Sequence, residues 1–250
     1  ISFLLVLVLD LKMKPARVHS WNVSPDEATA IQMNLRPKVE VCDYERPVKL
    51  IGATAVAFDL SNDLVHAVVV TMQYPEMSIV EQFGITQEIR FPYMSGLLAF
   101  REGGPLIQCF HKIEKVPDVI LFHAHGKAHP REFGLASHMG VLLDTPSIGI
   151  STKLLVGHHK ELSMEEGSQT SIIYQERSVG TALRTKEGVK PIYISVGHKI
   201  DLTSSVKIVK DCITHYQSPE PLRLAQLAVA KQKSGQTINS EQISVQTTLF

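Results

Sequence analysis

Asp59 closes the apolar run "TAVAF", Glu102 stands in "AFREGG", and "DVILFHAHGKAHPREFG" delivers His123, His125 and His129 within seven residues. Singly, each has an ordinary reading. A carboxylate ending a strand forms a turn, a glutamate on a helix faces solvent, and histidines after a buried strand are polar residues at the rim of a core. Together they admit a chemical one. Two carboxylates converging with a third group at a strand end give the oxygen-rich pocket that hard divalent cations need, and metal-activated water there cleaves phosphodiesters. The HxHxxxH spacing admits another, since strand-end histidines bind zinc in metallohydrolases whose bound water attacks an ester or amide.

The elements that position these residues narrow the choice. Ser24-Pro25 with Asp26 and Glu27 starts a helix that continues through "EATAIQMNLR". From Leu50, "LIGATAVAFDL", "LVHAVVVTMQY" and "MSIVEQFGITQEIRF" are β-rich and separated by short turns, as in an antiparallel meander. "LLAFREGGPLIQCFHKI" is expected to be a helix jointed at Gly103-Gly104, "DVILF" a buried strand, "GLASHMGVLLD" a helix and "SIGIS" a short strand, the alternation of a parallel sheet. "TSIIYQER", "GTALRT" and "PIYISVG" are three more strand candidates. "TSSVKIVKDCITHYQ" is a helix capped by Thr203 or Ser204, and "PEPLRLAQLAVAKQK" another, with Leu222, Leu224 and Leu227 as its core stripe. One α/β domain over residues 22–233 accounts for this pattern, with an extension at 1–21 and a polar, flexible tail at 234–250. A zinc barrel would need eight strand–helix units, and three successive strands with no helix between them argue against it. It would also want more ligands from later strand ends, where only His198 is a fair candidate.

Composition sets the outer limits. With 250 residues, 44% hydrophobic and 20% charged, the chain can bury a full core. A formal net charge of zero gives no global attraction to nucleic acid or acidic lipid, so any basic footprint must be local. Arg184, Lys186 and Lys190 offer a modest one, with a solvated face as the alternative; His158, His159 and Lys160 belong to a polar surface loop. Cys42, Cys109 and Cys212 are far apart and lack a CxxC, so neither a zinc knuckle nor a disulfide framework is signalled, and a cytoplasmic protein with free thiols is expected. The opening "ISFLLVLVLDLK" is shorter than the roughly 20 apolar residues that span a bilayer, so no membrane partner is expected.

In order and spacing, "FPYMSGLLAFREGGPLI", "PDVILFHAHGKAHPREFGLASHMGVLL", "PSIGISTKLL", "GTALRTKEGVKPIYISVGHKIDL" and "PEPLRLAQL" resemble the endonuclease V family. The resemblance implies a ribonuclease H-like fold: a mixed sheet, an antiparallel meander followed by parallel βα units, flanked by helices. It also implies a nuclease that uses Mg²⁺ to cut DNA or RNA near deaminated bases, chiefly inosine, at the second phosphodiester on the 3′ side. By this resemblance Asp59 matches the first metal-binding aspartate and Glu102 the glutamate of an "FRE" motif. Tyr93 matches the aromatic wedge that enters the duplex, with Met94 and Ser95 in the same turn, and Gly96 and Leu98 fall where the pocket for the extruded base is lined. His129 matches a histidine near the metal and His198 that of a late "GH" motif.

The chain departs from the family pattern at two chemical positions. His123 replaces the third carboxylate, with Ala124 in place of the following glycine, and Thr152 replaces a lysine, leaving Lys153 one position later. The expected metal set is therefore Asp59, Glu102 and His123, holding Mg²⁺ or, since imidazole is the softer donor, Mn²⁺. His129 and Lys153 complete the expected catalytic set. Tyr93, Met94, Ser95, Gly96, Leu98, Ala124 and His198 form the expected substrate-facing set of a monomer acting on inosine-containing DNA or RNA. The alternative is an endonuclease V-like nucleic-acid-binding protein with impaired catalysis.

Overall fold

In the computed structural model, residues 19–236 and 238 are described. β1 (Leu50–Asp59), β2 (Leu64–Gln73) and β3 (Ile79–Glu88) form the antiparallel meander. β2 is buried without interruption from Val65 to Met72, as a strand must be when both sheet faces are covered. β1 then pairs in parallel with β4 (Val119–Phe122), and β4 with β5 (Ser147–Ser151). Parallel neighbours need crossovers, supplied by α2 (Leu98–Phe110) before β4 and α3 (Leu135–Leu143) before β5. Beyond β5 the sheet turns antiparallel again, through β8 (Ile192–His198), β7 (Arg177–Leu183) and β6 (Gln169–Tyr174), giving the order β3-β2-β1-β4-β5-β8-β7-β6. Gln175 and Glu176, with φ of 48° and 62°, make the two-residue turn between β6 and β7, a geometry that matches strand twist. The mixed α/β sheet expected from the sequence is what forms.

Helices cover both faces. Leu106, Phe110, Met139 and Leu143 of α2 and α3 pack on Val69, Ile120 and Phe122. On the other face, α4 (Leu202–Asp211) and α5 (Glu220–Lys233) press Val209, Leu222, Ala225, Ala228 and Val229 onto Ile51, Ala53, Val68 and Ile148. Small residues dominate the α5 contact, so the helix lies close to β1. Residues 222, 225, 228 and 229 make that face, which turns Leu227 outward at 48% exposure and removes it from the expected stripe. α1 (Pro25–Leu35) begins at Ser24 with a full capping box to Glu27.

Five local expectations are corrected. α2 runs unbroken through Gly103 and Gly104; the glycines admit the Trp21 ring, which a Cβ on Gly103 would meet at 2.5 Å. Residues 19–21, expected in an extension, therefore belong to the packed domain. α4 is capped by Asp201, whose carboxylate accepts the Ser204 N–H at 2.8 Å, so neither Thr203 nor Ser204 is the cap. Arg184 is buried and spends its guanidinium on the carbonyls of Leu162, Ser163 and Val189, while Lys186 pairs with Glu166 at 3.5 Å. Of the proposed basic patch, Arg184 is thus internal bracing and Lys186 is paired, which leaves Lys190 exposed. Ile238, assigned by sequence to the tail, is buried in the core, where it packs beside Gly84. The apolar opening and the rest of the tail lie outside the described residues, among which no helix is long and apolar enough to cross a membrane.

Gly103→Ala should lower stability by about 1–3 kcal/mol, the usual range for overpacking a closed contact. Trp21 is the only tryptophan of the chain, so its emission should shift as the ring is displaced. An unchanged melting midpoint with unchanged emission would remove this contact from the account.

A pocket at the end of β4 and the exposed loop beside it

The β1–β4 pairing ends where Thr54 meets Phe122. β1 continues without β4 beside it, and a pocket of about 110 Å³ opens, lined by Thr54, Ala55, Val56, Glu102, His123 and Gln226 among others. Glu102 enters from α2. It is half-buried and makes no hydrogen bond or ion pair among the described residues, and burial pushes its carboxyl up to about 8. The neighbouring Arg101 faces elsewhere, donating to the Phe91 carbonyl at 2.8 Å and lying over the Phe58 ring. His123 follows β4 directly, and its Nδ1 accepts from the Gln226 side-chain amide of α5 at 2.9 Å. Burial lowers its pKa and favours neutral imidazole.

Asp59 does not reach this pocket. β1 lines the pocket with Thr54, Ala55 and Val56, and Asp59 lies at least three residues further on, roughly 10 Å or more along an extended strand. The Asp59 carboxylate turns onto its own loop, accepting from Ser61 Oγ at 2.5 Å, Ser61 N at 3.2 Å and Asn62 Nδ2 at 2.8 Å. These donors hold it down at about 2. It is the turn former that a strand-ending aspartate ordinarily is. The expected trio of Asp59, Glu102 and His123 is thus not assembled, and no group of three His, Cys, Asp or Glu among the described residues could hold a metal ion. One carboxyl, one imidazole and one amide do not fit a hard cation, which wants several anionic oxygens. Thr152 lines a smaller neighbouring pocket with His123, Pro219 and Leu222, and Lys153 is exposed and lines neither.

A second feature lies just before α2. Phe91 is buried, but Pro92 to Ser95 are exposed, with Tyr93 at 74%. The loop closes at Gly96, whose φ of +80° suits glycine. Its carbonyl accepts from three side chains: Arg131 Nη2 at 2.6 Å, His129 Nε2 at 3.0 Å and Gln32 Nε2 at 3.1 Å. His129 Nδ1 meanwhile accepts the Arg131 N–H at 3.2 Å. Both ring nitrogens are occupied, and burial, with Arg131 beside it, lowers the imidazole to about 4. In this arrangement His129 braces the loop and has no lone pair left for a metal. His125 is half-buried, with its Nδ1 unpartnered among the described residues.

The remaining expected substrate residues scatter. Leu98 opens α2 and leans on the α2–α3 core, and Ala124 is buried within it. His198 ends β8, buried, with its Nδ1 accepting the Glu40 N–H at 3.2 Å. It pins the segment leading to β1 and lines neither pocket. Gln32, Arg131, Gln226 and Ala55 were not singled out from the sequence. Gln32 carried a signal: with Ala28 and Leu35 it forms the buried stripe of α1, where a polar residue needs a partner.

Comparison with known proteins identifies the lineage. The endonuclease V family model matches residues 33–227. Endonuclease V of Dehalococcoides mccartyi is 39% identical over 221 residues, 88% of this chain and 99% of that protein. Among solved structures, endonuclease V from Bacillus subtilis superposes with a TM-score of 0.84 at 29% identity, covering 89% of this chain and 98% of that one. Endonuclease V of Ciona intestinalis, solved with a 24mer DNA containing an inosine followed by a ribo-adenosine, gives 0.74 at 29% identity, covering 84% and 98%. The chain belongs to the endonuclease V family, and its sheet is ribonuclease H-like.

Asp59 provides a direct test of its placement. By carboxyl NMR it should titrate near 2, and Ser61→Ala should raise that value. Because the folded value is depressed, its contribution to stability is present above the unfolded value and lost as pH falls through about 2. Added Mg²⁺ should leave the Asp59 signal unmoved; a saturable shift would return it to a ligand set.

Proposed function

We propose that this protein recognises inosine-containing DNA or RNA through the exposed loop at Tyr93 and Met94, and that it cuts the strand poorly or not at all in Mg²⁺. The observation that carries the second half is the pocket lining, in which Glu102 is the only carboxyl and β1 contributes Thr54, Ala55 and Val56, where a hard cation needs further anionic oxygens. Family membership supports the first half, together with the Ciona protein's inosine-containing DNA ligand. An exposed aromatic on a fixed loop suits the task. Extruding a base costs a few kcal/mol, least for a mismatched one. An aromatic ring stacked in the gap returns roughly 1–3 kcal/mol. Tyr93 supplies that ring, and Met94 adds flexible apolar surface beside it.

The second reading is a working endonuclease, and Glu102 favours it, as an unpaired carboxyl in a pocket at the end of a central strand. Labelled strands with one inosine, and matched unmodified strands, separate the two readings when incubated with Mg²⁺ and with Mn²⁺. Preferential binding of inosine strands without nicking is expected. Nicking at the second phosphodiester 3′ of inosine with ordinary turnover, abolished by Glu102→Gln, would establish the working enzyme instead.

Two substitutions sharpen the proposal. Ala55→Asp with His123→Asp puts two carboxylates around Glu102 and should create Mg²⁺ binding that calorimetry detects and the parent protein lacks. Heat of binding in the parent as large as in the variant would contradict the assignment of Ala55. Tyr93→Ala should cut the preference for inosine strands by about tenfold, a loss of ~1.4 kcal/mol, with little change on unmodified strands. Equal losses on both strands would rule out a wedge.

A further inference from the structure

We infer that Gln32 and Arg131 are positioning residues: through the Gly96 carbonyl they set the angle at which Tyr93 is presented, and so set the preference for a gap over an intact stack. The preference rests on the reading proposed above; the bracing itself does not.

Three elements meet at one oxygen. Gln32 comes from the buried face of α1, Arg131 and His129 from the segment between β4 and α3, and Gly96 from the root of the loop. A carbonyl oxygen has two lone pairs, so three donors at 2.6, 3.0 and 3.1 Å use its full capacity. The donors are also tied to one another. Arg131 Nε donates to Gln32 Oε1 at 2.7 Å, and Gln32 Nε2 also reaches the Phe133 carbonyl at 3.2 Å.

The chemistry of this cluster is unusual for mere packing. Arg131 is a cation with no acidic partner among the described residues, and it directs its fork at two neutral acceptors, Gln32 Oε1 and Gly96 O. Gln32 is 1% exposed and His129 3%, so the acceptors sit where a lost hydrogen bond is costly. The cluster also depends on glycine, because a Cβ at position 96 would lie 2.7 Å from Arg131 Nη2. On the far side of this root, Pro92 to Ser95 are exposed, and their one further hydrogen bond among the described residues joins Met94 O to Leu97 N at 3.0 Å. Stiffness of the loop is therefore delivered at its base. A loop already held in its inserted direction gives up less conformational freedom on binding.

Gln32→Glu keeps the shape and the Arg131 contact but turns the donor toward Gly96 into an acceptor. Arg131→Lys keeps the charge but loses the fork. Each should speed amide exchange across residues 92–97 by about tenfold while β1 and β4 keep their protection. Each should also lower the inosine-to-unmodified affinity ratio by about tenfold, leaving the affinity for unmodified strands within about twofold. Faster exchange everywhere, with both affinities falling together, would mean a purely structural role and overturn the inference. An unchanged ratio with a loosened loop would overturn it as well. If the parent shows no inosine preference but the variants still loosen residues 92–97 alone, the bracing stands and the proposed ligand fails. Should neither variant fold, Gln32→Met, which keeps the buried shape and removes both polar atoms, carries the same two readouts: local loosening of residues 92–97 with a lowered ratio supports the inference, and an unchanged loop and ratio overturn it.

Discussion

The four residues of β4 are the constraint on which the site depends. Val119 to Phe122 are fully buried between β1 and β5, and parallel pairing fixes them one-to-one against Ile51 to Thr54. A one-residue slip would exchange Val119 and Leu121, packed on one face, with Ile120 and Phe122, packed on the other, so each side chain would meet contacts shaped for its neighbour. Its end point therefore fixes where the next side chain, His123, emerges, and which β1 residues face it. It also fixes the start of the segment that carries His129 and Arg131 back to the loop before α2. The pocket and the loop are both consequences of where this short strand stops.

Much of the architecture was legible in the sequence because it rests on local rules. The β-rich runs from Leu50, the capping box at Ser24, the prolines opening α5 and the buried run before His123 each depend on residues close in the chain. The site was less legible because its contacts are not local. Asp59 has the same strand parity as Ala55, and only the register against β4 shows that it lies two side-chain repeats too far along. Gly103 and Gly104 suggested a joint because the Trp21 ring that fills their place is distant in sequence. Arg184 counted as surface charge until three backbone carbonyls surrounded it. His129 was expected beside a metal, whereas its partner is a loop carbonyl, which sequence does not name.

Electrostatics and fold point the same way. The two carboxylates expected to act together live in opposite environments: Asp59, ringed by donors in water, is held near 2, while Glu102, half-buried without a partner, rises to about 8. Family kinship is unaffected by this, since membership follows from the whole sheet and its helices, and a fold tolerates changes that its chemistry does not.

The isolation of Glu102 has an evolutionary consequence. With Ala55 and His123 beside it, a neutral carboxylic acid is compatible with the buried surroundings. A variant that acquired only one aspartate here would place a second negative group against a desolvated one, raising both values and binding little. The benefit arrives with the other change, so the landscape between a recognition protein and a cutting one has a dip where the single substitutions lie. Two substitutions that each cost something alone and help only together are the kind that single-step change rarely reaches.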